Sequence, residues 1–369
     1  MTAAAKRRFN HCGTKLFLRY LHKLRSGEVS ETPFHLGGRG QDVRLAARRA
    51  GEPDTAVALM TADTLLTAPR RNSIAASCPV SVIIPTLASA ERADLLARAM
   101  KSVLTGQDHG IVLIVVANGS RFDPETLAGL KARRDIRFIY REEGSAAAAR
   151  LAGRQAVDTE FFATLDDDDE FLPRAFERQM RYMRADPTID VVITNGYRRH
   201  GEVEVVDFPD FANYGQDPLW HLMETCWLQP AGGLYRTETV TPDIFATPFS
   251  MEWTYLAMVL ALHRRLWFVD VPTYRMHRET PGSLSSALHW QRQAPETLRR
   301  MLAFDAPPSI RRRLKQKHAD ALHTLAEWAS RDGDQKAAWQ YHLRSLLSPY
   351  GLRYLPFTRR LVQRAHTPL

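Results

Sequence analysis

At 369 residues, 44% hydrophobic and 25% charged, the chain has room for one large domain with appendages or for two domains, and its composition excludes a disordered or fibrous class. The net charge of +9 admits anionic partners such as nucleic acid, an anionic membrane surface or phosphorylated substrates, without choosing among them. Cys12, Cys78 and Cys226 are too few and too scattered for a disulfide framework or a cysteine metal site, and no apolar run approaches the ~18 residues of a membrane span, so a reducing, cytoplasmic compartment is expected.

Residues 1–78 read as a basic N-terminal extension that lacks the apolar core and cleavage site of a secretory signal. Within it, Leu16, Phe17, Tyr20, Leu21 and Leu24 share a helical face among Lys15, Arg19, Lys23 and Arg25. Such a helix either lies peripherally on an anionic membrane or docks on the main domain. Residues 67–78 read as a linker. From Pro79 the pattern is ordered. Val80–Pro85 is a β-branched run of core-strand type, followed by helical spacing at Leu95, Leu96, Ala99, Met100 and Val103. Ile111–Val116 is a second strand, closed by the turn signal Asn118-Gly119-Ser120. Pro124 opens a helix to about Arg133, Ile136–Tyr140 is a third strand, and Ser145–Val157 is an Ala-rich helix. Strands alternating with helices imply parallel pairing in a sheet covered on both faces.

The fourth strand, Phe161–Leu165, ends abruptly in Asp166, Asp167, Asp168 and Asp169. Its position puts the carboxylates at the carboxyl end of a strand, where open α/β sheets bind ligands. Like charges this close need water, a proton or a cation to compensate them, and a hard divalent ion such as Mn²⁺ or Mg²⁺ takes oxygen ligands. The plainer reading is a solvated acidic loop with Asp169 capping the next helix, Arg174–Arg184. Beyond that helix the rhythm changes. Val191–Thr194 and Val203–Phe208 read as strands, Pro209–Pro230 as loop, Gly232–Arg236 as strand and Met251–Arg264 as helix. Leu266–Val269 reads as a short strand and Tyr274–Ser286 as a polar loop. From Trp290 the chain is helical and basic, with two helices meeting at Asp332-Gly333-Asp334. The run Arg311–Lys315 reads as a solvated helix face, so no nucleic-acid partner is expected.

Several stretches agree in order with one known family. VSVIIPT (Val80–Thr86), VANGS (Val116–Ser120), GSAAAARLAG (Gly144–Gly153), LDDDDEFLP (Leu165–Pro173), MEW (Met251–Trp253) and YRMHRETPGSLS (Tyr274–Ser285) resemble the family 2 glycosyltransferases of the GT-A fold. The resemblance implies a GT-A-type α/β nucleotide-sugar domain over 79–288, with a mostly parallel, Rossmann-like sheet, and a C-terminal helical region over 289–369. It implies an inverting, metal-dependent transferase working on a nucleotide-diphosphate sugar and a glycan, lipid-linked or protein acceptor in cell-envelope polysaccharide biosynthesis.

The resemblance also assigns residues. The family's DxD motif falls on Asp166 to Asp168, making Asp166 and Asp168 candidate metal ligands, with His277 a further one. Pro85, Thr86, Asn118, Arg150, Asp166 and Asp167 become the candidate donor contacts, and Gly233 and Trp253 the candidate acceptor contacts. Glu252 occupies the position of the general base, as Glu where the family has Asp. A carboxylate there can take the acceptor hydroxyl's proton while the cation meets the charge building on the departing diphosphate. Departures are Asn118, where the family often has an aspartate against the nucleobase, and Leu151, where an asparagine is common. Two alternatives stay open: a sugar-binding relative without turnover, and a sugar-phosphate nucleotidyltransferase. Against the latter, Thr86–Ala93 holds no glycine for a phosphate loop.

Overall fold

The first half of the described chain is a run of βα units, because three of its four strands are too apolar to be anything but covered. A computed structural model describes residues 80–107, 110–246, 252–278 and 288–365, all within one compact unit, Ile74–Leu369. The expected basic helix at Leu16–Leu24, the linker, Met251 and residues 279–287 lie outside the described residues.

Strands β1 (Val80–Thr86), β2 (Ile111–Asn118), β3 (Arg137–Arg141) and β4 (Phe161–Thr164) are parallel in the order β3-β2-β1-β4. Helices α1 (Ala93–Leu104), α2 (Pro124–Ala132) and α3 (Ala146–Gln155) connect them. Every residue of β1 is buried, and β2 and β4 flank it, with Val80 opposite both Ile111 and Phe161. Parallel strands covered on two faces read as continuous apolar runs rather than alternating ones, as here. Side-chain caps start the helices where the sequence offers them. Asp123 accepts from Thr126 N–H at 2.8 Å and Ser145 from Ala148 N–H at 3.2 Å. Gly153 lets α3 lie directly on β1, since a methyl there would sit 2.3 Å from Ile83 Cγ2.

Beyond β4 the sheet becomes mixed. It continues through β5 (Glu170–Phe171), β6 (Val191–His200), β7 (Val203–Val206), β8 (Gly233–Arg236) and β9 (Leu266–His277), in the spatial order β4-β8-β6-β9-β5 with β7 on β6. The β4–β8, β8–β6, β6–β7 and β5–β9 pairs are antiparallel, and β6–β9 is parallel. The GT-A-type α/β class expected from the sequence is the one observed, with its parallel part confined to β1–β4 and the β6–β9 pair.

One expected boundary is overturned. Leu266–Val269 is not a short strand followed by a loop at Tyr274: β9 runs unbroken to His277. Register shifts between Thr194/Asn195 and Asn195/Gly196 accommodate Pro272, which sequence reading treats as a strand breaker. Tyr274 is fully buried, its ring filling the space at Gly196, where a methyl would sit 2.3 Å from it. The expected loop Pro209–Pro230 likewise contains a helix, α5 (Pro218–Glu224), capped by Asp217.

The helix α4 (Ala175–Ala185) and α1 cover one face of the sheet. The helix α6 (Glu252–His263) covers the other with α3. Then follow α7 (Leu288–Met301), α8 (Pro308–Arg331), α9 (Gln335–Leu347) and α10 (Pro356–Ala365). Leu298, Met301, Ile310 and Leu314 join the α6-side core, while Ala326, Ala338, Phe357 and Leu361 form a separate small cluster farther out. No described helix is long and apolar enough to cross a membrane.

Candidate active site

The carboxylates sit where β4 runs out of partners. Leu165 N–H still donates to Ile83 O at 2.9 Å, and the chain then turns within four residues, Asp169 N–H donating back to Asp166 O at 3.1 Å. A turn this tight sends neighbouring side chains in different directions. Asp167 goes inward, accepting from Thr86 Oγ1 at 2.6 Å and from Arg92 Nε at 3.0 Å. The carboxylate oxygens of Asp166, Asp168 and Asp169 instead lie within 4.8 Å of one another, the one such grouping of ligand-type atoms among the described residues.

Asp169 is 5% exposed. Burial, and then the charges of Asp168 and Asp166, push its carboxyl well above the ordinary value, while the His277 N–H, donating at 2.9 Å, opposes the rise. A set of hard oxygen donors so crowded that one of them resists ionisation suits a divalent cation, which relieves the repulsion and accepts oxygen ligands. Mn²⁺ and Mg²⁺ both fit this donor set. Asp169 is not the cap of the next helix. That position is taken by Arg174 in a left-handed conformation, φ 61°, and Asp169 is spent on the cluster and on His277.

Three arginines frame the acids. Arg92, just before α1, also reaches Asp168 Oδ2 at 3.3 Å. Burial alone would lower its guanidinium, but hydrogen bonds and charge from Asp167 and Asp168 outweigh that and hold it above its ordinary value. Arg98 on α1 donates to Asp168 O at 2.6 Å and pairs with Glu170 at 3.2 Å. Arg150 on α3 donates to Asp166 Oδ1 at 2.7 Å through one nitrogen and to Glu252 Oε1 through another. Its guanidinium carbon stands 5.1 Å from the Trp253 ring centroid. One turn on, Arg154 spends its donors on the carbonyls of Val240 and Thr237, which fixes the helix that aims Arg150.

The structure therefore brings Asp166, Arg150, Glu252 and Trp253 into one chain of contacts, with Ala147, Ile244, Phe245 and Leu256 lining the cleft beside them. Thr86 and Asn118 stand at the ends of adjacent strands, Asn118 Nδ2 donating to Thr86 O at 2.9 Å. Pro85 is buried within β1, and Gly233 is buried at the start of β8. The His277 ring is not part of that grouping of three, and its Nε2 is 2.7 Å from Glu170 Oε1. Sequence reasoning missed Arg92, Arg98 and Glu170. The two arginines carry no local signature, being two of many cations around a helix, whereas Glu170 was adjacent to the aspartates and could have been included.

Residues 81–224 match the model of the family described as Glycosyl transferase family 2. The match covers less than half of the chain. It holds the four aspartates and Arg92, Arg98, Asn118 and Arg150, and ends before Gly233, Glu252, Trp253 and His277. An uncharacterized glycosyltransferase of Rickettsia prowazekii is 30% identical over 118 residues, 32% of this chain and 36% of that protein. One from Rickettsia conorii is 31% identical over 119 residues, 32% of this chain and 19% of its own length. The aligned region thus spans about a third or less of these relatives. Among solved structures, Staphylococcus aureus TarS residues 1–349, in complex with UDP-GlcNAc, superposes with a TM-score of 0.53 at 17% identity, covering 73% of this chain and 82% of that one. At that identity the likeness shows the fold, which is the GT-A-type arrangement described above.

Proposed function

We propose that this chain is an inverting glycosyltransferase that moves a sugar from a nucleotide-diphosphate donor to a hydroxyl of a glycan, lipid-linked or protein acceptor. Segment 79–288 is its catalytic domain and 289–369 a helical region. The observation that carries the reading is the connected pair of acidic groups. A carboxylate cluster at the end of β4 and a lone carboxylate, Glu252, meet through Arg150. A transferase of this kind needs both, one to deal with a diphosphate's charge and one to take a proton.

Asp166, Asp168 and Asp169 would hold a divalent cation, Mn²⁺ or Mg²⁺, whose bound charge would offset the negative charge of a departing diphosphate. His277 is proposed as a further ligand, with Glu170 orienting its ring through the Nε2 contact. Thr86 and Asn118, at adjacent strand ends, bind the nucleoside edge, and Asp167 holds Thr86 in place for it. Glu252 accepts the proton of the acceptor hydroxyl. Arg150 orients Glu252 and Trp253 provides the apolar wall on which the acceptor sugar rests. TarS is named with UDP-GlcNAc, so a uridine diphosphate sugar is the first donor to test.

Calorimetric titration of nucleoside diphosphate sugars, with and without Mn²⁺, tests the reading. The parent should bind a donor more tightly with Mn²⁺, and Asp168→Ala should lose that gain along with turnover. Donor binding without any transfer or donor hydrolysis would point instead to a sugar-binding relative. Binding that ignores Mn²⁺ would remove the cation from the proposal.

A further inference from the structure

The outermost helices carry a surface that the proposed reaction does not use. Six of the ten large hydrophobic side chains standing exposed among the described residues fall between 343 and 362. They are Leu343, Leu347, Tyr350, Leu352, Leu355 and Val362, with Leu347 87% and Leu352 74% exposed. Leu343 and Leu347 are four apart, one face of α9, and Leu352 and Leu355 are three apart in the turn that joins α9 to α10. Every exposed leucine of the described chain lies in this stretch. The small cluster beneath it, Ala326, Ala338, Phe357 and Leu361, uses the opposite faces of α9 and α10.

The charge of the same stretch is of one sign. After Asp334 the sequence contains no aspartate or glutamate, while Lys336, Arg344, Arg353, Arg359, Arg360 and Arg364 are all cationic. Arg353 is joined to Asp320 of α8, but Arg344, Arg359 and Arg360 are exposed around the leucines. Apolar side chains ringed by cations, with a tyrosine among them, match the two layers of an anionic bilayer surface: an acyl boundary for the leucines and phosphates for the arginines. A second copy of the chain fits less well. A two-fold contact would set this patch against itself, arginine against arginine, with no carboxylate in the segment to pair them.

We propose that α9, α10 and the turn between them form a docking surface for an anionic phospholipid bilayer, seated through Leu343, Leu347, Leu352 and Leu355 and held by Arg344, Arg359 and Arg360. This surface would place the transferase where a lipid-linked acceptor resides.

Vesicle flotation of the full chain tests it, using phosphatidylcholine vesicles with and without phosphatidylglycerol. The parent should float with the anionic vesicles and remain behind with the neutral ones. Arg359→Glu/Arg360→Glu should lower partitioning by at least about tenfold, since each cation near such a surface matters several-fold. Leu347→Ser/Leu352→Ser should lower it several-fold with an unchanged thermal melt. Leu347→Ser alone serves as the variant that cannot disturb folding, because its side chain touches almost nothing. Equal flotation of parent and variants, or a parent that ignores anionic vesicles, would overturn the proposal. So would a parent dimer that Leu347→Ser converts to monomer, which would make a second copy the occupant.

Discussion

The two halves of the sheet are held together by different forces. Strands β1, β2 and β4 contain no titratable side chain and pack as buried aliphatic and aromatic runs. Around β6 and β9 the interior is polar. Asp207 takes both Arg198 Nε and, at 2.7 Å, the hydroxyl of fully buried Tyr274, whose phenol is pushed well up first by burial and then by Asp207. Asn195 Nδ2 donates to Asp270 and to Phe208 O, each at 2.8 Å. Thr194 meets Thr273 at 2.6 Å and Gln179 at 3.1 Å. One half is stabilised by non-directional burial, the other by satisfied hydrogen bonds that tolerate little change. The acidic cluster lies at their seam: its aspartates end a strand of the first half, and His277 and Glu170 close it from the second.

The largest expected effect falls at that seam and concerns charge, not packing. Glu252→Gln keeps the shape and the contact to Arg150 but cannot accept a proton. Transfer should slow by on the order of 10²–10⁴-fold with donor affinity preserved, the range for a positioned base. Steady-state rates beside donor titration read both quantities. A variant that transfers at the parent rate would hand the role to another carboxylate, with Asp243 and Glu224 the next to try.

Next in size is a direct contest between the halves. Asp207→Ala strands the Arg198 guanidinium and the Tyr274 hydroxyl inside the protein, at a cost of about 3–5 kcal/mol. Ile83→Val, at an equally buried site in β1, should cost about 0.5–1.5 kcal/mol. Urea unfolding of the two variants decides it. Similar midpoints would mean that the polar network is ornamental and that both halves rest on packing.

This difference in forces also explains what could be read from the sequence. Runs such as Val80–Pro85 and Ile111–Val116 announce themselves because a strand buried on both faces must be apolar throughout. The aspartates were legible because they break such a run. β9 was not, since Pro272 and the polar stretch up to His277 imitate a loop, and the irregularity that admits them, with Asp270, Val271 and Thr273 unpaired on β9 opposite Thr194–Gly196, shows only against β6. Glu252 and Arg150 could each be placed through family resemblance, but their contact spans 102 residues and has no local trace. Arg92, 75 residues before Asp167, is the same case without a motif to help.

Asn118→Ala probes the first half at the polar carboxyl ends of its strands. The change removes the hydrogen bond to Thr86 O and should destabilise the fold by about 1 kcal/mol. Nucleotide affinity should fall while Mn²⁺ binding is retained. Affinity unchanged for every nucleoside diphosphate would take Asn118 out of the donor pocket.

The smallest effect sharpens the comparison by extending it to the outer helices, which mix the two strategies. His342 on α9 is buried against the small apolar cluster, its Nε2 2.8 Å from Thr358 Oγ1. Burial, and then the neighbouring His323, hold its imidazole below the ordinary value of about 6.5. His318 on α8 is lowered too, by burial and then by Arg344 and Arg299. A histidine whose folded value is depressed contributes its stability above the unfolded value. That contribution is lost as pH falls below about 6.5, because the unfolded chain takes up a proton that the folded one resists. Hydrogen exchange in α9 and α10 should therefore accelerate as pH drops through this window, after correction for the intrinsic rate, while amides of β1 and β2 stay protected. His342→Gln can still reach Thr358 but does not titrate, so it should flatten part of the response and leave the remainder to His318. If α9 kept its protection across the window, or lost it equally in the His342→Gln/His318→Gln variant, the outer helices would owe their stability to the apolar cluster alone, as the first half of the sheet does.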